Sequence, residues 1–544
     1  MDKILFDLDG EWTLSYMSDR EYASLKRKPQ CEADLPPTEK LSVKVPGIFG
    51  EDLYLNGKTG DPYYSLNILD LQNYEDTHLF YYRRFPAVTG KKIFLRFEGI
   101  DTFAAVFING SFVATTDNML IPFELYVPNS ALKEDNEIFI HIVPASVVSR
   151  LRPTPANSAS LEYLADMLYI RRAPSLCGWD IMPRIPTGGI WRSAYIVSKT
   201  DDAIADAFIY TVKAVDNGDS LLYLRYTLNI ANGGWKDYSI RAEGECEDSR
   251  FYAENRIYGV CGSLKIHVPR SKLWYPKNYG KPSLYDVKIT LCKNGEPVDE
   301  YKTRAGIRTV RLDRTSTTDK DGNGEFRFVI NGKKIFYLGT NWVPLDAFHC
   351  NDIKRLDRAF ELLLDSGCNG VRCWGGNVYE SDRFFDLCDE YGIMVWQDFA
   401  MACGVYPQEQ DFYEMISVEV RATVKRLRNH ASIVLWAGDN ECDYSYMYGS
   451  GVTLDPNGNV ITRRVIPEIL NAEDFSRPYL PSSPYIDEEG FRSGGGDGYG
   501  ALSEDHIWGP RDYYKGEYYK STLCHFASEI GYHGCPSPSS LAKF

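Results

Sequence analysis

Two glutamates, Glu441 and Glu529, stand where apolar runs give way to small or polar residues. The first closes Ser432-Ile-Val-Leu-Trp-Ala-Gly-Asp-Asn-Glu441, and the second closes Leu523-Cys-His-Phe-Ala-Ser-Glu529. Such a run reads as a buried parallel strand, whose carboxyl end is where a barrel presents functional side chains. Two carboxylates at one barrel mouth are what retaining glycoside hydrolysis needs: one protonates the leaving oxygen and the other attacks the anomeric carbon. A general acid wants a raised pKa, and desolvation against the apolar strand is expected to supply that at Glu441. A nucleophile must be ionised, so the neighbours of Glu529 are expected to supply hydrogen bonds. The competing reading makes both residues strand-end glutamates that cap helix N-termini.

The elements that must position this pair begin at about residue 314, where short apolar runs start to alternate with amphipathic helices. Strands are expected at 335–339, 370–374, 393–399, 433–436, 479–483, 505–508 and 523–528, and helices at 352–366, 381–391 and 412–429. Repeated strand–helix units imply a parallel sheet covered on both faces. A (β/α)₈ barrel needs eight strands and typically ~250 residues. Only seven strands are found here, so the reading is a TIM barrel lacking its last strand, in a fragment or truncated product.

Before that point the grammar is all β. The first ~195 residues hold short alternating strands with hairpin signals such as Asn109-Gly110, which predicts an antiparallel jelly-roll sandwich. Strands at closer spacing follow, suited to a small immunoglobulin-like sandwich. The domains are placed at 1–198, 199–312 and 313–544.

The formal net charge is −15, and no stretch is rich in Lys or Arg. Nucleic acid and anionic membrane are therefore not expected as partners. No run approaches ~20 apolar residues, and charges interrupt the first residues, so neither a membrane span nor a signal peptide is read. The 13 cysteines are odd in number, and Cys373, Cys388 and Cys524 lie inside apolar runs. Buried free thiols in a cytoplasmic protein are the expectation. There is no CxxC pair and no HExxH, so no zinc site is indicated. Asp319-Lys-Asp-Gly-Asn-Gly324 opens like a calcium loop, but Ile330 occupies its twelfth position, so it is read as a turn. The glycine-rich stretch 493–500 lacks the Gly-Lys-Ser/Thr of a phosphate loop and is read as a mobile loop near the barrel mouth.

Several segments in order resemble glycoside hydrolase family 2, and within it the β-mannosidases. They are Cys177-Gly-Trp179-Asp180-Ile-Met-Pro-Arg184 with Thr187-Gly-Gly-Ile-Trp-Arg192, Gly339-Thr-Asn-Trp-Val-Pro344, Val371-Arg372-Cys-Trp374-Gly-Gly-Asn-Val-Tyr-Glu380, Val395-Trp-Gln-Asp-Phe399, Trp436-Ala-Gly-Asp-Asn440-Glu441 and Ser528-Glu529-Ile-Gly531. The resemblance implies that Glu441 is the acid/base, Glu529 the nucleophile, and Asn440 a ligand of the 2-hydroxyl. It places Asp180 on sugar hydroxyls and makes Trp374 and Trp179 apolar walls. Trp508 is a further substrate contact. Arg372 either holds the nucleophile ionised or pairs with another strand-end acid, and Asp398 stands behind it. Neither a metal nor an organic cofactor is implied, and the implied partner is an oligosaccharide or glycoside. Three positions depart from the family pattern: Asp439 for Asn, Ile181-Met182 for Trp-Gly, and Ile507 for an aromatic residue. Each is expected at the pocket or its rim, and together they weaken the sugar assignment. The resulting reading is a retaining exo-β-glycosidase acting on terminal β-D-mannose. Its rivals are a β-galactosidase, β-glucuronidase or glucosaminidase of the same family, and a sugar-binding chain without turnover. The oligomeric state is left open.

Overall fold

The computed structural model describes residues 3–152, 158, 165, 167–185, 188–230, 234–449, 453–494, 502–509, 516–531 and 535–543. The stretch 493–500 lies outside them except for Ser493 and Gly494.

Two antiparallel sheets build the amino-terminal sandwich. One has six strands in the order Lys40–Val45, Gly10–Ser18, Thr77–Pro86, Asp135–Val143, Phe103–Ile108, Ser111–Thr116. The other has four: Lys3–Asp7, Ala194–Lys199, Lys92–Phe97, Phe123–Val127. Alternation decides which faces meet: Ile93, Leu95 and Phe97 point into the core while their neighbours do not. Asn109 and Gly110 both have positive φ, 52° and 77°, as the tight hairpin between two of these strands requires.

Seven further antiparallel strands between Ala203 and Ala305 form a three-stranded and a four-stranded sheet around a separate core. The hairpins Val310–Arg314, Phe326–Ile330 and Lys333–Ile335 follow. Their Phe326 and Phe328 pack against Trp396 and Phe526 of the next domain, Phe326 stacked on Trp396. The segment opening like a calcium loop is a turn into this hairpin, with Asp319 Oδ1 accepting the amides of Asp321 and Asn323.

The last domain carries seven parallel strands among the described residues. They are β1 Gly339–Trp342, β2 Gly370–Cys373, β3 Met394–Asp398, β4 Ile433–Ala437, β5 Tyr479–Leu480, β6 Glu504–Ile507 and β7 Phe526–Ile530. β1 to β5 form one sheet, and β6 pairs with β7. Helices α1 Asp352–Asp365, α2 Asp382–Tyr391 and α3 Gln410–Leu427 follow β1, β2 and β3. On α1, Leu356, Phe360 and Leu363 recur at helical spacing and are buried. β2, β3 and β4 are buried at every residue, as strands covered on both faces must be.

One expected strand is wrong. Residues 335–339 are not a single strand: one sheet ends at Ile335 and β1 begins at Gly339. The side chain of Asn369 explains the break. Its Oδ1 accepts from Leu338 N at 2.9 Å and its Nδ2 donates to Phe336 O at 3.0 Å, standing where a strand partner would.

Candidate active site

β4 ends at Ala437, and Glu441 lies four residues beyond it. Asn440 bridges to Ala402 on one side and Ser483 on the other, so the chain continues as an irregular extension of the sheet. Glu441 then adopts a left-handed conformation, φ 56°. A non-glycine residue held there stores strain of order 1–3 kcal/mol, a pattern common at functional sites. Its amide donates to Ser483 O at 2.9 Å, and its carbonyl accepts from Ser445 N at 3.0 Å. Glu529 instead lies within β7.

Around a cleft of about 960 Å³ stand all eight residues singled out in the sequence: Glu441, Glu529, Asn440, Arg372, Trp374, Trp179, Asp180 and Trp508. One oxygen of Glu441 lies within 4.8 Å of one of Glu529. His506 completes the group. Its Nδ1 is 2.6 Å from Glu441 Oε1 and 3.5 Å from Glu529 Oε2.

Every carboxylate oxygen of the pair has a protein partner. Glu441 Oε2 accepts from the Cys403 thiol at 3.2 Å, and Glu529 Oε1 accepts from Arg372 Nη1 at 2.7 Å. Glu529 Oε2 accepts from the Trp508 indole at 2.9 Å. Glu441, His506 and Glu529 are close enough together to surround a cation.

Arg372 does both things the sequence left open. Besides Glu529, its Nη2 donates to Asp398 Oδ2 at 2.7 Å and to Asn440 Oδ1 at 2.8 Å. Burial opposes its charge, but the carboxylates of Asp398 and Glu529 outweigh burial and hold it cationic. Asp398 is also pushed up by burial, to about 6 despite Arg372, and it does not line the cleft.

The first domain closes one wall. Pro174–Cys177 is a buried turn of helix docked on the barrel, with Ser175 N donating to Gly376 O at 3.0 Å. Gly178 turns the chain at φ 101° and delivers Trp179 edge-on to Trp374, ring centroids 4.8 Å apart. Gly376 is a geometric necessity, since a Cβ there would meet the Trp374 ring at 2.1 Å. Asp180 stands exposed on the same loop.

The expected pKa of Glu441 is overturned. Burial does push it up, but the hydrogen bond and charge of His506, the Cys403 thiol and Arg372 together outweigh burial, and it sits below its ordinary value. His506 moves the other way: burial opposes its charge, and the charge of Glu529 with the hydrogen bond and charge of Glu441 raise it. Of the three departures, Ile181 lines the cleft while Asp439 and Ile507 are buried away from it. His506 and Cys403 were missed. A strand turns alternate side chains to one face, so choosing Trp508 pointed also to His506. Nothing local marks Cys403.

A jelly-roll sandwich, an immunoglobulin-like sandwich and a barrel follow in that order, and acidic side chains stand at the barrel's strand ends, which makes this a multidomain protein of the barrel class with its candidate site at the barrel mouth. Family models agree segment by segment. The glycosyl hydrolase 2 galactose-binding domain-like model matches residues 24–192, the glycosyl hydrolases family 2 model 191–308, and that family's TIM barrel domain model 324–456. The chain belongs to glycosyl hydrolases family 2.

It is 30% identical over 524 residues to Beta-mannosidase B of Aspergillus clavatus, a match covering 92% of this chain and 61% of that protein. It is 29% identical over 539 residues to Beta-mannosidase B of Thermothelomyces thermophilus, covering 94% and 61%. Among solved structures, the Beta-D-Mannosidase from Dictyoglomus thermophilum superposes with a TM-score of 0.83 at 30% identity, covering 99% of this chain and 64% of that one. The chain thus spans about three fifths of the length of the curated relatives it matches.

Proposed function

We propose that this chain is a retaining exo-β-glycosidase that releases terminal, non-reducing β-D-mannose from oligosaccharides or glycosides. One observation carries the mechanism: the close approach of Glu441 and Glu529, with oxygens within 4.8 Å. Retaining enzymes hold their carboxyl groups ~5–5.5 Å apart, whereas inverting enzymes leave ~6.5–9.5 Å for a water.

The steps follow from the donors. Arg372 and Trp508 each donate to one oxygen of Glu529 and hold it oriented for attack on the anomeric carbon. Glu441 gives a proton to the leaving oxygen, so the C–O bond breaks as the glycosyl–Glu529 ester forms. A water then attacks the same carbon, Glu441 takes its proton, and Glu529 leaves as carboxylate. Asn440, held by Arg372, faces the cleft as the contact for the 2-hydroxyl. Trp374 and Trp179 form the apolar wall, and Asp180 reaches hydroxyls far from the scissile bond.

The sugar assignment is supported by the beta-mannosidase relatives at about 30% identity. A panel of aryl β-glycosides tests it, with the mannoside expected to be cleaved fastest. The Glu529→Ala and Glu441→Gln variants should each lose turnover by orders of magnitude. Near-normal activity of Glu529→Ala would end the assignment.

A further inference from the structure

Behind the two carboxylates runs a buried chain of hydrogen bonds that the mechanism has not used. His506 Nε2 is 3.1 Å from Ser483 Oγ. Ser483 Oγ is 2.8 Å from Glu504 Oε1, which also accepts from Ser528 Oγ. All four residues are buried. A carboxylate only accepts, and a hydroxyl has one proton to give. Ser483 spends that proton on Glu504, so its oxygen must accept from His506, and His506 carries its fixed proton on Nε2. The ring atom left to gain and lose a proton is Nδ1, which faces Glu441 at 2.6 Å.

We infer that Ser483 and Glu504 are positioning residues that lock His506 in the Nε2–H form, so that Nδ1 and Glu441 Oε1 hold one proton between them. The inference rests on Glu441 as the acid/base. The proton sits either on Glu441, with Nδ1 accepting, or on Nδ1, with the carboxylate accepting. On glycosylation it goes to the leaving oxygen, and on deglycosylation the attacking water returns it. No proton is gained or lost over the cycle.

Several other charged or polar groups face the imidazole. Glu529 on β7 and Glu441 favour its cation, and Arg372 on β2 opposes it. The Tyr444 ring stands edge-on at 6.3 Å, and its hydroxyl is bonded to Asp505. Asp505 Oδ1 accepts the amide of His506 at 2.9 Å. With His506 raised and Glu441 lowered, the pair keeps its proton until the pH passes the histidine's titration. The alkaline limb of kcat/KM therefore belongs to the pair and lies above the ordinary ~6.5 of histidine.

The test is Ser483→Ala, which removes the acceptor of Nε2 and leaves both glutamates in place. The alternative neutral tautomer, with the proton on Nδ1, then becomes competitive, and the cation loses a partner. The protein has eight histidines, so imidazole ¹⁵N spectra of the labelled 544-residue chain are tractable, with His506→Gln giving the assignment. The expected wild-type spectrum shows Nε2 protonated throughout and Nδ1 titrating above ~6.5. In Ser483→Ala the tautomer mixes and the titration falls by about one pH unit, the size of one lost hydrogen bond.

In kinetics the alkaline limb moves down by the same amount with a poor leaving group. A dinitrophenyl glycoside, whose departure needs no acid, keeps its kcat/KM. A wild-type His506 carrying its neutral proton on Nδ1, or an unchanged His506 titration in Ser483→Ala, overturns the inference. If the wild type cleaves no glycoside, the functional reading fails, while the spectra still decide the tautomer.

Discussion

Arg372 donates to Glu529 Oε1 with Nη1 and to Asp398 Oδ2 with Nη2, both at 2.7 Å. One planar guanidinium thus ties a cleft carboxylate to one outside the cleft, and a third contact fixes Asn440. This use depends on the fork. Lysine keeps the charge but offers a point donor that cannot span the two carboxylates. Arg372→Lys is expected to lower kcat/KM by ~10²–10³, the cost of losing an oriented charge in a dry site. Steady-state kinetics on an aryl β-mannoside decide it, and a loss below threefold would show that Glu529 does not need the fork.

Trp508 is a second donor to the same carboxylate and also a partly exposed ring. Trp508→Phe keeps most of the face and removes the N–H. A hydrogen bond to a charged group contributes ~1.5–3 kcal/mol. The expected result is a fall in kcat of ~10–100-fold with KM changed little. A rise in KM at constant kcat would instead make Trp508 a sugar platform alone.

The sequence made the carboxylate pair legible because each sits at the end of an apolar run that had to be a buried strand. Arg372 and Trp508 were legible through the resemblance to the family, not through strand position. His506 was half legible, through its alternation with Trp508. The depressed pKa of Glu441 was not legible, because the partner that causes it lies 65 residues away and meets it only once β4 and β6 share a barrel. Cys403 was hidden for the same reason, being brought in by a loop with no periodicity to read, and Ser483, inside the strand expected at 479–483, carried no sign of its partner His506. The break between Ile335 and Gly339 was missed because an asparagine side chain imitates a strand partner there.

The sandwich and the barrel are joined by a buried ion pair. Arg171 Nε and Nη2 each lie 2.7 Å from an oxygen of Glu419 on α3, with both side chains 1% exposed. Asn118 and the Tyr379 hydroxyl also donate to Glu419, each at 2.8 Å. Removing one partner strands the other charge, which costs ~3–5 kcal/mol, whereas replacing both by apolar residues costs far less. Glu419→Ala should therefore be the more destabilised variant, and Arg171→Met/Glu419→Met should recover part of the loss. Urea unfolding of the three proteins measures this. Equal stability of the single and double variants would mean that water reaches Arg171.

Asp439 departs from the family residue, Asn, and its surroundings show the consequence. Oδ1 accepts from Ser482 Oγ at 2.5 Å and from Cys442 N at 3.2 Å, while Oδ2 has no partner among the described residues. Burial, with the nearby Asp443 charge, pushes the carboxyl up to about 8. A folded pKa above the unfolded value of ~3.9 means that ionisation opposes folding. Stability from this site is therefore fully present below about pH 4 and is lost as the pH rises towards 8. Asparagine keeps the Oδ1 acceptor and the shape and does not titrate. Asp439→Asn should match the wild type near pH 4 and exceed it increasingly up to pH 8, by about 1–3 kcal/mol at the top of that range. Denaturant unfolding at a series of pH values checks both sign and window. A constant offset between the two proteins would show that Asp439 does not change its charge across that range.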